Sequence, residues 1–325
     1  MMTDTQKKRR KAMSELIKNQ NFGVEIEFTG ITRRMAAHIV AEVLGSRASE
    51  PTGGCYHTQT IRDSKGRNWK IMRDSSIRPE RNVRPVHRND CYDDYMVEFV
   101  TPILQYNDLG TLQEIVRKFK ENGAVVNDSC GIHVHVDGAN HNVNSLKNLV
   151  NFMYNRQDII YDALAIGERK DRWCRPISRT LRQSIRKQEA PTLSSTERIW
   201  YSPANDNYTG GIDHQHYNPT RYHALNLHSF FSKGTVEFRL YNSTLHAGKV
   251  KAYVQFCLAI SAWAIEETGN TMFRKTAGYT AKQKLNTMHS VLTNRLGLVG
   301  REFETCRFHL LKELKKAAEM EQVAA

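Results

Sequence analysis

The clearest pattern in this 325-residue chain is an alternation of apolar and charged positions in four short stretches. Successive side chains of a β-strand point to opposite faces of the sheet, so a period of two predicts a strand with one apolar and one polar face. The four stretches are "FGVEIEF" (22–28), "MVEFV" (96–100), "GIHVHVD" (131–137) and "TVEFRLY" (235–241). We therefore expect one sheet with a buried face and a face that carries charge.

The remaining periodicities place helices between these strands. A 3.6-residue apolar period predicts helices at 32–44, 108–123 and 145–166, and near 247–267, 280–296 and 302–320. Residues 55–72 have the pattern of a hairpin around the turn "SKGR", and "YHALNLHSF" (222–230) that of a further strand. This order predicts one α+β domain built on a single, mainly antiparallel sheet with helices on its outer face.

The ends and one internal segment depart from this plan. We expect a basic amino-terminal tail over 1–20, which lacks the apolar segment of a secretory signal, a main domain over 21–300 and a carboxy-terminal helix over 301–325. Residues 167–220 are rich in Arg, Ser, Pro, Asn and Gly and weakly patterned. Such a long insertion is typical of a functional lid or loop.

Composition narrows the class of protein. No run of 18 apolar residues occurs, so we expect no membrane span. The six cysteines are far apart and form no C-x-x-C, which favours reduced thiols and a cytoplasmic location over a disulfide framework. The formal net charge of +13 raises nucleic acid or an anionic substrate as a partner. The excess is spread out, notably over 62–90 and 168–198, without a nucleic-acid-binding motif, so we prefer a solvated surface.

The charged face of the predicted sheet has an unusual composition. In an antiparallel sheet with one face in solvent, apolar and polar residues also alternate, but the solvent-exposed face usually carries Thr, Lys, Ser and Gln as well. Here that face carries glutamate, histidine and one arginine, and crowded carboxylates are costly without cations. Carboxylate oxygens suit Mg²⁺ or Mn²⁺ better than zinc, and their number suggests more than one ion with a polyphosphate. The adjacent Arg239 offers a forked donor for a transferring phosphoryl group.

These residues resemble the amidoligase family, within the glutamine synthetase and glutamate–cysteine ligase superfamily of carboxylate–amine ligases. The resemblance rests on "GVEIEF", "WKIMRDSS", "VEFVTPIL", "CGIHVHVD", "RYHALNL" and "TVEFRLYNSTL", in the family's order from about 21 to 265. It implies a curved sheet of the glutamine synthetase-like catalytic type that binds ATP and Mg²⁺. It also implies amide formation through an acyl phosphate, from a small-molecule or peptide carboxylate and an amine acceptor.

The resemblance also assigns roles to single residues. It implies metal ligands at Glu25, Glu27, Glu98, His133 and Glu237, and a position near the ATP phosphates for His135. Arg239, with Glu237, corresponds to the catalytic arginine that stabilises phosphate, while Arg221 and Asn226 face substrate or phosphate. The family usually has Asp-Gly-Ser where this chain has Asp74-Ser75-Ser76, so the turn geometry and any role of Asp74 stay open.

Two other functions remain as alternatives. A metal-dependent hydrolase would use the same glutamates and His133 without ATP. A basic nucleic-acid-binding protein would lose affinity steeply with salt and be indifferent to mutation of the glutamates. The identities of the carboxylate and the amine, and the oligomeric state, do not follow from the sequence.

Overall fold

The computed structural model describes residues 4–88, 91–269, 271, 273, 276 and 278–324. Its strands, in chain order, are Phe22–Phe28 (β1), Gln59–Arg62 (β2), Asn68–Met72 (β3), Glu80–Arg81 (β4), Arg84–Pro85 (β5), Val97–Val100 (β6), Gly131–Asp137 (β7), Leu225–Asn226 (β8) and Thr235–Asn242 (β9). Seven of them form the main, largely antiparallel sheet, and β4 and β5 form a separate hairpin.

The helices fill the intervals between the strands. In chain order they are Asp4–Lys18 (α1), Arg33–Val43 (α2), Leu109–Glu121 (α3), Val143–Leu164 (α4), Arg169–Arg172 (α5), Arg179–Arg186 (α6), Leu193–Trp200 (α7), His228–Lys233 (α8), Ala247–Glu266 (α9), Ala281–Ser290 (α10) and Glu304–Ala324 (α11). A π-helical turn, Val291–Arg295, follows α10. The α+β class and the antiparallel main sheet predicted from the sequence are confirmed.

The chain divides into two compact units. The first unit comprises Asn21–Val134 and Tyr241–Val254, and the second comprises Met1–Gln20, His135–Leu240 and Gln255–Ala325. In the first unit the strand order is β2-β3-β6-β1-β7, with β7 represented by residues 131–134. In the second unit the end of β7, most of β9 and β8 follow one another in that order.

The apolar face of the first unit's strands is covered by α3. The ring of Phe119 on α3 lies 4.7 Å from that of Phe28 and 5.3 Å from that of Phe99, which itself stacks on Trp69 at 5.8 Å. All four side chains are buried. Because alternate residues of β1 and β6 point into this core, Glu25, Glu27 and Glu98 must point to the opposite face.

The second unit has its own core, built mainly from helices. Trp263 on α9 packs against Phe152 on α4 with ring centroids 5.1 Å apart. A buried polar network runs beside them: His141 contacts the hydroxyls of Ser145 and Ser261 through its two ring nitrogens, and Ser261 donates to Gln20. This network satisfies polar groups that would be costly to bury alone.

Several local predictions are confirmed. Thr32 caps α2 by accepting a hydrogen bond from the backbone N–H of Met35, and β2 pairs with β3 as the predicted hairpin. Gly123 follows α3 with a φ of 89°, which suits glycine at a helix end.

Other local predictions are wrong. Residues 222–230 form only the short strand β8 and then enter α8, because Leu227 takes helical angles where the pattern predicts continued extension. The cap of α4 is Asn142, whose side chain accepts from the N–H groups of Asn144 and Ser145.

Two segments without a predicted element contain helices: Asp4–Lys18 in the expected basic tail, and α5, α6 and α7 in 167–220. The tail and the lid themselves stay predictions.

Among the described residues, no helix combines the length and the apolar character that crossing a membrane requires.

Gly30, directly after β1, generates a prediction about the strand that carries Glu25 and Glu27. Its φ is +89°, and a Cβ there would lie 2.6 Å from the carbonyl oxygen of Gly123. We expect Gly30→Ala to lower the free energy of unfolding by about 2–4 kcal/mol, from backbone strain and overpacking together. Urea unfolding measures this loss.

Gly45 provides a matched control, because its φ is +59° but a Cβ placed there would have no neighbour within 4 Å. Gly45→Ala should cost only about 1 kcal/mol, the strain of the left-handed backbone alone. Equal losses in the two variants would show that the close approach to Gly123 has no energetic consequence.

Candidate functional site

Three carboxylates of the first unit converge on the polar face of the sheet. Glu27 on β1 and Glu98 on β6 are directly opposite partners in the antiparallel register, and Asp74 follows β3. One carboxylate oxygen of each lies within 4.8 Å of the other two. We call Glu27, Asp74 and Glu98 the acidic triad. Like charges directly opposite on neighbouring strands are destabilising, so this arrangement favours a bound cation.

The turn after β3 places Asp74 in the triad. Its carboxylate accepts a 2.7 Å hydrogen bond from the backbone N–H of Ser76, and its carbonyl accepts from Ile77. Ser75 is absent from the positions with positive φ, so the turn needs no glycine there. The Asp-Ser-Ser sequence is therefore compatible with the turn, and Asp74 is a site residue to which the sequence assigned no role.

The other two metal candidates of the first unit form a pair beside the triad. Nδ1 of His133 lies 2.8 Å from a carboxylate oxygen of Glu25, and Nε2 lies 3.9 Å from one of Glu27. Glu27 also accepts a 2.6 Å bond from the backbone N–H of Gly131. A carboxylate that holds one ring nitrogen orients the other, the usual arrangement behind a metal-ligating histidine. His133 and Glu27 are both buried.

The second unit brings together Glu237, Arg239 and Asn226, which we call the Glu237 cluster. Asn226 is the register partner of Glu237 across β8 and β9, and its amide donates to Oε2 at 2.7 Å. Nη1 of Arg239 donates to Oε1 at 2.5 Å. The three residues are 1–5 % exposed. Both carboxylate oxygens of Glu237 are thus engaged, and the guanidinium of Arg239 is held in one orientation.

His135 and Arg221 lie elsewhere in the second unit. Nδ1 of His135 is 3.0 Å from the hydroxyl of Thr235, which is itself 2.9 Å from that of Ser229. Arg221 is half-buried and donates to the carbonyl of His216 at 2.7 Å. The guanidinium groups of Arg221 and Arg239 lie 5.7 and 5.8 Å from the ring of Tyr222. Tyr222 therefore links Arg221 to the Glu237 cluster.

The match to a protein family agrees with this geometry. A family model described as "Putative amidoligase enzyme" matches residues 18–261, three quarters of the chain. The chain belongs to this amidoligase family. The match contains the acidic triad and the Glu237 cluster, and it supports a ligase that forms amide bonds.

Two further comparisons add little to the amidoligase assignment. No curated protein sequence matches the chain. Among solved structures, a bifunctional glutathione synthetase from Pasteurella multocida is similar at 12% identity and a TM-score of 0.41. That likeness covers all of this chain but 51% of the other, so this amidoligase spans about half of that protein's length. A TM-score this low supports no conclusion about function.

Three buried histidines in the second unit make its stability depend on pH, and burial lowers the pKa of the first, His141, to about 4. Burial lowers the pKa of His223 to about 4, although Asp206 opposes the shift. Burial, and then the charge of Arg221, lowers the pKa of His228 to about 4. All three imidazoles are therefore neutral in the folded protein at neutral pH.

We expect the free energy of unfolding to fall as pH decreases from about 6.5 to 4. In this window the unfolded histidines, with pKa values near 6.5, bind protons that the folded ones do not. The slope is up to about 1.4 kcal/mol per pH unit for each histidine. Urea unfolding between pH 7 and 4 measures it.

His223→Gln should reduce this slope, whereas the same change at the exposed His38 of the amidoligase should leave it unaltered. A stability that is flat across the window would contradict neutral, buried histidines at these positions.

Proposed function

We propose that this amidoligase is an ATP- and Mg²⁺-dependent carboxylate–amine ligase with the glutamine synthetase-like type of sheet. Its product is an amide formed through an acyl phosphate. The observation that carries the proposal is the acidic triad in a chain of the amidoligase family: two carboxylates on β1 and β6 and one in the turn after β3, with one oxygen of each within 4.8 Å of the other two.

The donor set of the first unit fits hard divalent cations. Glu27, Asp74 and Glu98 offer carboxylate oxygens, which Mg²⁺ and Mn²⁺ prefer, and His133 with Glu25 adds a nitrogen that Mn²⁺ also accepts. Mg²⁺ usually keeps water and substrate phosphates in its shell beside one or two carboxylates. Bound there, the metal would neutralise the triphosphate and polarise its phosphoryl oxygens. The chain's part is to hold the carboxylates in place before the ion arrives.

The Glu237 cluster fits the charge of a phosphoryl group in transfer. Arg239 is almost fully buried, and Glu237 and the ring of Tyr222 fix its guanidinium. A preorganised guanidinium in a desolvated site stabilises developing negative charge without reorganising. We assign Asn226 and Arg221 to the same substrate region, and Glu237 both to positioning Arg239 and to metal binding.

Strand spacing shows which of these residues share a face. His133 and His135 are two positions apart on β7, and Glu237 and Arg239 are two positions apart on β9. Residues two apart on a strand point to the same face. We assign His135, whose Nδ1 lies 3.0 Å from the hydroxyl of Thr235, to the nucleotide phosphates.

The metal assignment predicts how three variants respond to Mg²⁺. Without metal, Glu27→Gln, Asp74→Asn and Glu98→Gln should be as stable as the wild type or more so, because each removes one of three mutually repelling charges. Their melting temperatures should gain less from Mg²⁺ than that of the wild type. Differential scanning fluorimetry with chelator and then with Mg²⁺ measures both effects.

Glu121→Gln is the matched control, since Glu121 is an exposed carboxylate of the same unit at the end of α3. It should leave the response to Mg²⁺ unchanged. Release of ADP should stop with chelator and return with Mg²⁺ or Mn²⁺ but not with Zn²⁺ alone. Turnover that needs stoichiometric zinc, or hydrolysis of a substrate without ATP, would favour the metal-dependent hydrolase.

The assignment of Arg239 predicts that Arg239→Lys lowers turnover by about a hundredfold or more, because lysine lacks the planar fork. Affinity for Mg²⁺-ATP should change only a few-fold, since the metals hold most of the triphosphate. Equilibrium nucleotide binding measures the affinity. Single-turnover ADP formation, with a panel of carboxylic acids and with hydroxylamine as acceptor, measures the rate on the same protein.

Arg221→Lys serves as the comparison, because Arg221 contacts the same tyrosine but donates to a loop carbonyl. It should have a smaller effect on turnover. If Arg239→Lys weakens only ATP binding, Arg239 binds the nucleotide and does not stabilise the transferring phosphoryl group. If the variant mainly loses folding stability, Arg239 is the structural partner of Glu237.

A further inference from the structure

A second feature of the first unit is a pocket beside the acidic triad. It has a volume of about 630 Å³ and is lined by Arg73, Ser75, Arg88, Tyr92, Asp93 and Met96, among others. We call it the Arg73 pocket. Arg73 and Ser75 flank Asp74 along the chain, and Met96 precedes Glu98 by two residues. The pocket therefore borders the triad.

Arg73 has fewer hydrogen bonds than its guanidinium can make. Nη1 donates to the carbonyl of Cys55 and Nη2 contacts the carboxylate of Asp93, both at 3.5 Å, the outer limit of a hydrogen bond. Nε is buried and has no hydrogen-bond partner in the described part of the chain. A guanidinium carries five N–H donors, and a buried donor left unsatisfied is costly. Its weakly held Nη donors lie on an arginine that lines the pocket, where a ligand oxygen could accept from them.

The charges around the pocket favour an anion as that acceptor. Asp94 is held by Arg33 at 3.0 Å, and Arg33 also donates to the backbone carbonyl of Asp93. The carboxylate of Asp93 is 56% exposed and contacts Arg73 only at 3.5 Å. Arg88 is exposed and forms no ion pair within the described ranges. Because Arg33 engages Asp94 from outside the lining, Asp93 is the one remaining lining carboxylate that Arg73 and Arg88 face in the pocket.

We propose that the Arg73 pocket binds a second anionic group of the carboxylate substrate, which is then a dicarboxylate, an acidic amino acid or an acidic peptide end. This inference rests on the proposed ligase function and adds the class of acid. Arg73 and Arg88 hold the distal anionic group, while the carboxylate to be phosphorylated lies toward Asp74. A forked guanidinium pairs with carboxylate through two parallel hydrogen bonds, which also fixes the orientation of the acid.

ATP is the competing anion for this pocket. We favour the acid because we assign the triphosphate to metals at the acidic triad, so the pocket that borders the triad is left for the acid that is phosphorylated there. A volume of about 630 Å³ also suits a small ligand with several polar anchors.

The test compares acids that differ by one carboxylate. Succinate, glutarate and L-glutamate are titrated against butyrate in the presence of Mg²⁺, by isothermal calorimetry, with the full chain. We expect at least one of the three to bind the wild type at least tenfold more tightly than butyrate. Arg73→Gln should remove that preference and Arg88→Gln should weaken it.

Arg81→Gln is the control, because Arg81 is an exposed arginine in the neighbouring hairpin, outside the pocket. It should keep the preference. The Mg²⁺-induced rise in melting temperature should persist in Arg73→Gln, which shows that the fold and the triad are intact. If Arg73→Gln does not fold, Arg88→Gln carries the test, since its side chain is on the surface.

Three outcomes would overturn the pocket assignment: no acid of the panel binds, butyrate binds as well as the others, or the arginine variants weaken only ATP binding. A separate assay distinguishes failure of the ligase function. Binding that depends on Arg73 without ATP-dependent hydroxamate formation would contradict the ligase and retain the pocket. Hydroxamate that forms equally well from monocarboxylates, and whose formation Arg73→Gln does not affect, would contradict the pocket and retain the ligase.

Discussion

The mutual repulsion of carboxylates on one rigid sheet face is the constraint on which the rest of this structure depends. Glu27 and Glu98 cannot move apart, because their backbones are register partners in the ladder of β1 and β6. The ladder is fixed in turn by the aromatic core beneath it, where Phe28 and Phe99 pack against Phe119. Burial of each of these large apolar side chains stabilises the arrangement by about 2 kcal/mol. The core thus holds these two carboxylates close together on the opposite face of the strands.

Strand geometry explains how much of the candidate site could be predicted from the sequence. Period-two alternation depends only on strand geometry, so it identified Glu25, Glu27, Glu98 and His133 as candidates in the first unit and Glu237 in the second. It could not locate Asp74, which lies past the end of β3 in a turn. The signal available there was an Asx turn, an aspartate followed two residues later by the N–H that it accepts, but such turns are common on surfaces without a ligand.

Local sequence patterns predicted the wrong secondary structure where tertiary contacts determine the backbone conformation. The stretch 222–230 alternates like a strand, yet it leaves the sheet after Asn226 because its next residues form α8. The helices α6 and α7 begin at Ser178 and Thr192, which both cap through their side chains. Those caps were visible in the sequence, but a helix of eight residues is marginal on its own and gains its stability from packing.

The segment 167–220, which we expected to be a lid, is more firmly attached than an ordinary loop. Trp200 is fully buried, and Arg175 exchanges backbone hydrogen bonds with Tyr222 and Ala224 on either side of His223. Ala224 in turn accepts from the backbone N–H of Arg239. If this segment moves in catalysis, it moves as a folded piece whose attachment is the strand edge that positions Arg239. The segment is therefore part of the packing around β8 and β9 and not a separate loop.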